Sequence, residues 1–304
     1  MVYDLLDTGE ALRLTRDPQA LYRELSSEPE SSWAVIDEVQ KIPALLDEVH
    51  RLIESKGLRF VLSGSSARKL RRGGANLLAG RAVTVAMLPL VCAEMNFALD
   101  IERILRHGTL PMAVTSDAGN YLRSYAETYL DQEIRAEALT RNLGGFSRFL
   151  EIAARHNGQL TNATAIARQA GISRHTVQNH FDILTDTLIG FWLKAWKLKS
   201  ADKQVQHSKF YLFDCGVARA LSGRLPYPPT AEEAGTLLET YLLHELRAFL
   251  AYTGRHYRLN FWRTYDGAEV DVLCETEGGF VAIEIKAAAH WEKRFNRGLH
   301  RLVR

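Results

Sequence analysis

The stretch WAVIDEVQKIP, from Trp33 to Pro43, closes an apolar run with two adjacent acids, Asp37 and Glu38. That pattern suits phosphoryl-transfer chemistry, in which one carboxylate holds a hard divalent cation and its neighbour faces water. A second apolar run, LRFVLSGSS, ends in Ser63, Gly64, Ser65 and Ser66. Open α/β sheets place their ligands at such strand ends. Arg81, in LLAGR, stands where an arginine could stabilise charge on a moving phosphoryl group. Taken without its neighbours, an acid pair at a strand end more often caps a helix or is simply solvated. Here the flanking segments favour the chemical reading.

A second constellation lies near the C-terminus. Asp271 sits in EVDVL, and Glu284 and Lys286 sit in IEIK, two apart and so on one face of a strand. An acid on one strand and an E-x-K on the next is the arrangement by which two carboxylates hold a metal and a lysine orients water against a scissile phosphate. The helix before them offers a third acid, Glu239 or, second, Glu245. These two lie six apart and would not share a face. The bland alternative is alternating charge on a half-exposed strand.

The third constellation is ATAIARQAGISRHTVQNHFDIL, which has helix-turn-helix spacing. Ala167 is small where the helices touch, Gly171 makes the turn, Ser173 caps the second helix and Val177 packs inward. Arg174, His175, Gln178 and Asn179 then face outward, a set able to reach phosphates and base edges of DNA. His180 falls where an apolar residue is more usual. Such folds also serve only to pack domains, so DNA contact and a purely structural role both stay open.

The elements that must position these residues follow from periodicity. VYDLLD, WAVIDEVQ and LRFVLSGSS read as strands, with helices through PQALYRELSS and ALLDEVHRLIESKG, and RAVTVAMLPL supplies one more strand. The apolar runs are continuous, which suits parallel strands buried on both faces of a doubly wound sheet. From Tyr121 to Trp196 the pattern turns helical, with LIGFWLKAW as the core of a wing. RLPYPPT, with three prolines, reads as a linker. A helix, AGTLLETYLLHELRAFLAYTG, and the strands YRLNFWRT, AEVDVLCE and FVAIEIKA come after it.

The 304 residues are 46% hydrophobic and 24% charged with a net charge of +2, ordinary globular values that do not themselves indicate nucleic acid. Any basic surface must be local, as in Arg68, Lys69, Arg71 and Arg72. Cys92, Cys215 and Cys274 are far apart, which argues against a zinc site or a disulfide framework and for a reducing cytoplasm. No run is long enough to span a bilayer, so no membrane partner is expected.

Several segments, VIDEVQKIPALLDEVHRLI, RFVLSGSSARKL, LLAGRA, LPL, YLRSYAETYLDQEIR, KFYLFDCGVARAL, FWRTYDGAEVDVL and VAIEIKA, together resemble a prokaryotic group of AAA-plus ATPases. Its members carry a C-terminal domain of unknown function that is similar to restriction-endonuclease folds. The resemblance is collinear over nearly the whole chain. It implies ATP and Mg²⁺ as cofactors, Asp37 as the magnesium ligand, Glu38 as the residue polarising water, Ser63 as the sensor hydroxyl and Arg81 as the finger. Because such sites lie between subunits, Arg81 would imply a homo-oligomer.

One departure matters: the 304 residues contain no GxxxxGK[ST], and only Met1 and Val2 precede YDLLD. The backbone ring and lysine that grip a triphosphate would then be missing. The expected fold class is α/β: a partial P-loop (AAA-plus) parallel sheet over 1–115, a helical lid with a winged helix over 116–200, and an α+β restriction-endonuclease-like C-terminal domain, truncated, over 201–304. The expected function is that of a shortened, DNA-associated AAA-plus ATPase with poor ATP binding, through a misplaced start or genuine loss. The alternatives are a metal-dependent DNase using Asp271, Glu284, Lys286 and Glu239, or a non-enzymatic DNA-binding protein.

Overall fold

The computed structural model describes residues 1–64, 80–129, 142–196 and 205–303. The chain divides into two compact units, Met1–Thr84 with Asp186–Leu188, and Val85–Thr185 with Ile189–Arg304. Ser65, Ser66, Arg68, Lys69, Arg71 and Arg72 lie outside the described residues, as does the end of the helical stretch expected after Tyr121. Among the described residues no helix is long and apolar enough to cross a membrane.

The first unit is built on three parallel strands, β1 (Val2–Asp4), β2 (Trp33–Asp37) and β3 (Arg59–Leu62), in that spatial order. Val2 pairs with Val35, and Val35 with Val61. Helices Thr8–Arg16, Gln19–Leu25 and Leu45–Lys56 connect them. The last reads clearly in the sequence: Asp47 and Glu48 favour its positive end, Lys56 its negative end, and Gly57 stops it in the left-handed conformation. Tyr3, Leu5, Ala34 and Ile36 form the buried face with Leu14, Leu21, Leu25, Leu45, Leu46, Val49 and Leu52. Each fully buried leucine contributes roughly 2 kcal/mol.

Two expectations for this region are corrected. The sheet is not buried on both faces: Val2, Trp33 and Val61 are 73%, 56% and 47% exposed. Side chains alternate with period two, and the helices cover the face bearing Tyr3 and Ile36, so a run of apolar residues need not have two packed sides. Nor does RAVTVAMLPL form a strand; Val83 and Met87 are 91% and 96% exposed. A strand needs a neighbour to take its N–H and C=O groups, and none pairs with this stretch among the described residues.

The second unit carries a five-stranded mixed sheet of order β5-β4-β6-β7-β8. Its strands are β4 (Gly190–Ala195), β5 (Lys209–Leu212), β6 (Leu259–Arg263), β7 (Glu269–Thr276) and β8 (Gly279–Ile283). Ahead of the sheet come helices Ile101–His107, Pro111–Thr115, Ala118–Ser124, Leu143–Arg155, Ala163–Ala170 and Arg174–Asp186. Helix Cys215–Leu221 follows β5, the long helix Ala231–Tyr252 precedes β6, and Arg297–Leu302 closes the chain. The expected wing core is β4. It pairs antiparallel with β5, as a wing would, and also runs parallel to β6 through Lys194 and Asn260. The sheet therefore takes strands from both sides of residue 200.

Candidate functional site

In the first unit, β2 and β3 end side by side, which brings Asp37 and Ser63 together. The Ser63 hydroxyl donates to Asp37 and accepts the Glu38 backbone N–H at 3.3 Å. Ser63 N–H bonds Ile36 O at 3.0 Å, and Val39 N–H bonds Ser63 O at 3.1 Å, so the backbone itself holds the two strand ends in register. Glu38 adopts a left-handed backbone with φ 57°, uncommon for a residue with a side chain. That turn breaks the strand and starts the short helical turn Val39–Lys41; the Gln40 amide donates to the Glu38 carboxylate at 2.5 Å. Asp37, Glu38 and Ser63 are half-buried. Arg81 is engaged by Glu54, in the last turns of helix Leu45–Lys56.

The sheet of the second unit assembles a denser cluster. Register pairs Val272 with Ile283, so one step further Asp271 faces Glu284 as the ladder ends. The Ile285 N–H turns onto the Asp271 carboxylate at 2.7 Å. Lys286 reaches both acids, at 3.2 Å from Asp271 and 2.5 Å from Glu284. Glu239, from the long helix, accepts from Lys209 at 2.9 Å and from the Tyr211 hydroxyl. Lys209 also pairs with Glu269 at 2.8 Å, which Arg263 meets from its other side at 3.2 Å. Glu245, the second choice, instead accepts the Cys92 N–H at 2.8 Å.

Burial and like charge shape these groups. Burial, and then the neighbouring Asp271, push the Glu284 carboxyl up to about 7, against the pull of Lys286. Its Oε2 is buried without a hydrogen-bond partner. Glu239 is raised for the same two reasons, with Lys209 opposing. Burial works against the charge on Lys209 and on Lys286, yet the acids around each outweigh it and hold both ammonium groups above their ordinary value.

Lys209, Tyr211 and Glu269 were not expected from sequence. The readable signal was period two: Lys209 and Tyr211 share one face of β5, and Glu269 and Asp271 share one face of β7.

Around the helix-turn-helix, Asn162 caps helix Ala163–Ala170, and Gly171 ends it at φ 65°. Ser173 accepts the Thr176 N–H at 3.0 Å and so starts helix Arg174–Asp186. Val177 is fully buried, and Arg174, His175, Gln178 and Asn179 are all exposed. Arg148 donates to Ala170 O at 3.0 Å and ties helix Leu143–Arg155 to the turn. His180 is buried against Phe146 and Phe149, with ring centroids 4.8 and 5.1 Å away.

Three family models match the chain: an AAA domain over residues 2–96, a domain of unknown function (DUF8612) over 99–227, and a second domain of unknown function (DUF4143) over 234–304. The chain is 27% identical over 265 residues to uncharacterized proteins of Mycobacterium bovis and Mycobacterium tuberculosis, an alignment covering 84% of this chain and 59% of each of theirs. An uncharacterized protein of Haemophilus influenzae is 22% identical over 225 residues, covering 68% of this chain and 56% of its own length. The chain thus spans less than two thirds of the curated relatives it matches. No solved structure matches it. What the matches show is an AAA domain at the start of the chain followed by two domains of unknown function.

Proposed function

We propose that the first 115 residues contribute the magnesium-and-water side of an AAA-plus nucleotide site, and that these 304 residues alone hold Mg·ATP weakly. The observation carrying this reading is the Ser63 hydroxyl, bonded to Asp37 and to the Glu38 N–H at the ends of adjacent parallel strands. Asp37 and Ser63 offer the oxygen donors that Mg²⁺ prefers. A bound Mg·ATP would supply an electrophilic phosphorus with its charge partly neutralised. Asp37 would hold the cation, Glu38 would orient water, and Ser63 would keep Asp37 aligned. Arg81 would serve a neighbouring copy, where its contact with Glu54 would have to open. The strained backbone of Glu38 supports a functional role, since such conformations persist where the surrounding structure over-determines them.

The expected weakness rests on the sequence: no GxxxxGK[ST], the pattern that cradles a triphosphate, occurs among these residues. Titration with a fluorescent ATP analogue in Mg²⁺ tests both halves of the proposal. Weak binding that Asp37→Asn weakens further is expected. Tight binding, or binding indifferent to Asp37, refutes it.

A second reading, DNA association through helix Arg174–Asp186, is favoured by one observation: Arg174, His175, Gln178 and Asn179 are all exposed beyond the Ser173 cap. Fluorescence anisotropy on duplex DNA is expected to register a loss of about tenfold or more in Arg174→Ala/Gln178→Ala. Unchanged affinity sinks this reading.

A further inference from the structure

We infer that Lys209 and Lys286 supply to the C-terminal carboxylate cluster the positive charge that a divalent cation would supply in a hydrolytic site, so that this sheet is held by a metal-free ion-pair network. One oxygen of each acid expected to bind a metal, Glu239, Asp271 and Glu284, already carries a partner, while Glu284 Oε2 carries none. Lys209 Nζ stands between Glu239 and Glu269, at 2.9 and 2.8 Å, with its side chain 5% exposed. A cation placed between these two acids would have to displace that nearly buried ammonium. The same Glu239 oxygen also receives the Tyr211 hydroxyl. Asp271 Oδ2 takes both the Ile285 N–H and Lys286.

Mg²⁺ takes one or two carboxylates and keeps several waters, whereas Ca²⁺ needs six to eight oxygens in one array. Among the described residues no three acid, histidine or cysteine side chains converge as such a set.

Charge tells the same story. Four acids, Glu239, Glu269, Asp271 and Glu284, meet three cations, Lys209, Lys286 and Arg263. A divalent cation added to this set would leave excess positive charge in a buried site, which is costly. The network also has a mechanical role. Glu239 belongs to helix Ala231–Tyr252, and its bonds to β5 fasten that helix across the sheet. The lysines thus occupy the positions in which the sequence pattern alone suggests a nuclease.

Mn²⁺ binding, followed by electron paramagnetic resonance on the full chain at millimolar metal, tests the inference. Absent binding, or binding indifferent to Asp271→Asn, agrees with it; saturable binding that Asp271→Asn abolishes overturns it. Thermal melting tests the other arm. Lys209→Met leaves Glu239 with no cationic partner and Glu269 with Arg263 alone, and is expected to lower the melting midpoint by roughly 10 °C. Adding Glu239→Gln to Lys209→Met is expected to recover part of that fall. Additive losses, or no loss in the single variant, overturn the inference as well.

Discussion

His180 offers the sharpest test of how the helix-turn-helix is held. It is 3% exposed, and both ring nitrogens lack a hydrogen-bond partner. A neutral imidazole carries one donor and one acceptor, and leaving each unmade costs about 1–3 kcal/mol. The edge-on contact with Phe146, at 4.8 Å and 77°, returns a fraction of that. Leucine at 180 would fill a similar volume, remove both unmet polar atoms and forfeit aromatic contacts worth about 0.5–1.5 kcal/mol. His180→Leu should therefore gain about 1 kcal/mol near neutral pH and raise the melting midpoint by roughly 2–4 °C.

The pH dependence sharpens the test. Burial lowers the His180 imidazole below its ordinary 6.5. The unfolded chain then takes up a proton that the folded chain refuses. Stability from this group is complete above the unfolded value and is lost as pH falls below it, at up to about 1.4 kcal/mol per pH unit. Urea unfolding of both proteins at pH about 7.5 and about 5 should give an advantage for the variant that widens in acid. An advantage that does not widen, or a variant less stable at both values, refutes the reasoning.

Three further outcomes are expected. Asp214 is buried, accepts the Thr109 and Val217 N–H groups at 2.8 and 3.0 Å, and burial pushes it up to about 6. Its contribution is fully present below about pH 4 and lost as pH rises through 6, so the stability of the parent relative to Asp214→Asn should fall by roughly 3 kcal/mol over that window, opposite in sign to His180. Gly108 has φ 70°, and an added Cβ would lie 2.0 Å from an Asp214 oxygen; Gly108→Ala should cost more than about 4 kcal/mol and leave little soluble protein on expression. Gly171 has φ 65° but open space around it, so Gly171→Ala should cost only the backbone strain, about 1–2 kcal/mol in denaturant unfolding.

Much of the fold was legible because local signals agreed with the packing. Helix Leu45–Lys56 carries charge at both ends and a glycine stop, and the pair Ala163–Ala170 and Arg174–Asp186 is bracketed by Asn162, Gly171 and Ser173. Helix Thr8–Arg16 went unread although its signal was present: the Asp7 side chain accepts the Glu10 N–H. With only Leu14 buried, its apolar stripe is too thin for periodicity to register. The strand expected at 81–90 fails for the opposite reason. Its residues are strand formers, but β-propensity acts through neighbours, and none pairs with it among the described residues.

By itself the sequence determined what is local: which residues start and stop helices, that Asp37 and Glu38 end a strand, and that Arg174, His175, Gln178 and Asn179 leave the helix on its outward side. Tertiary structure alone decided which charges meet. Lys209 lies 30 residues from Glu239 along the chain, yet one buried contact commits them to each other. Whether an acid faces water, a metal or an ammonium group depends on the strands and helices placed around it. Electrostatic energy depends on distance and burial, and neither can be read from spacing along the chain.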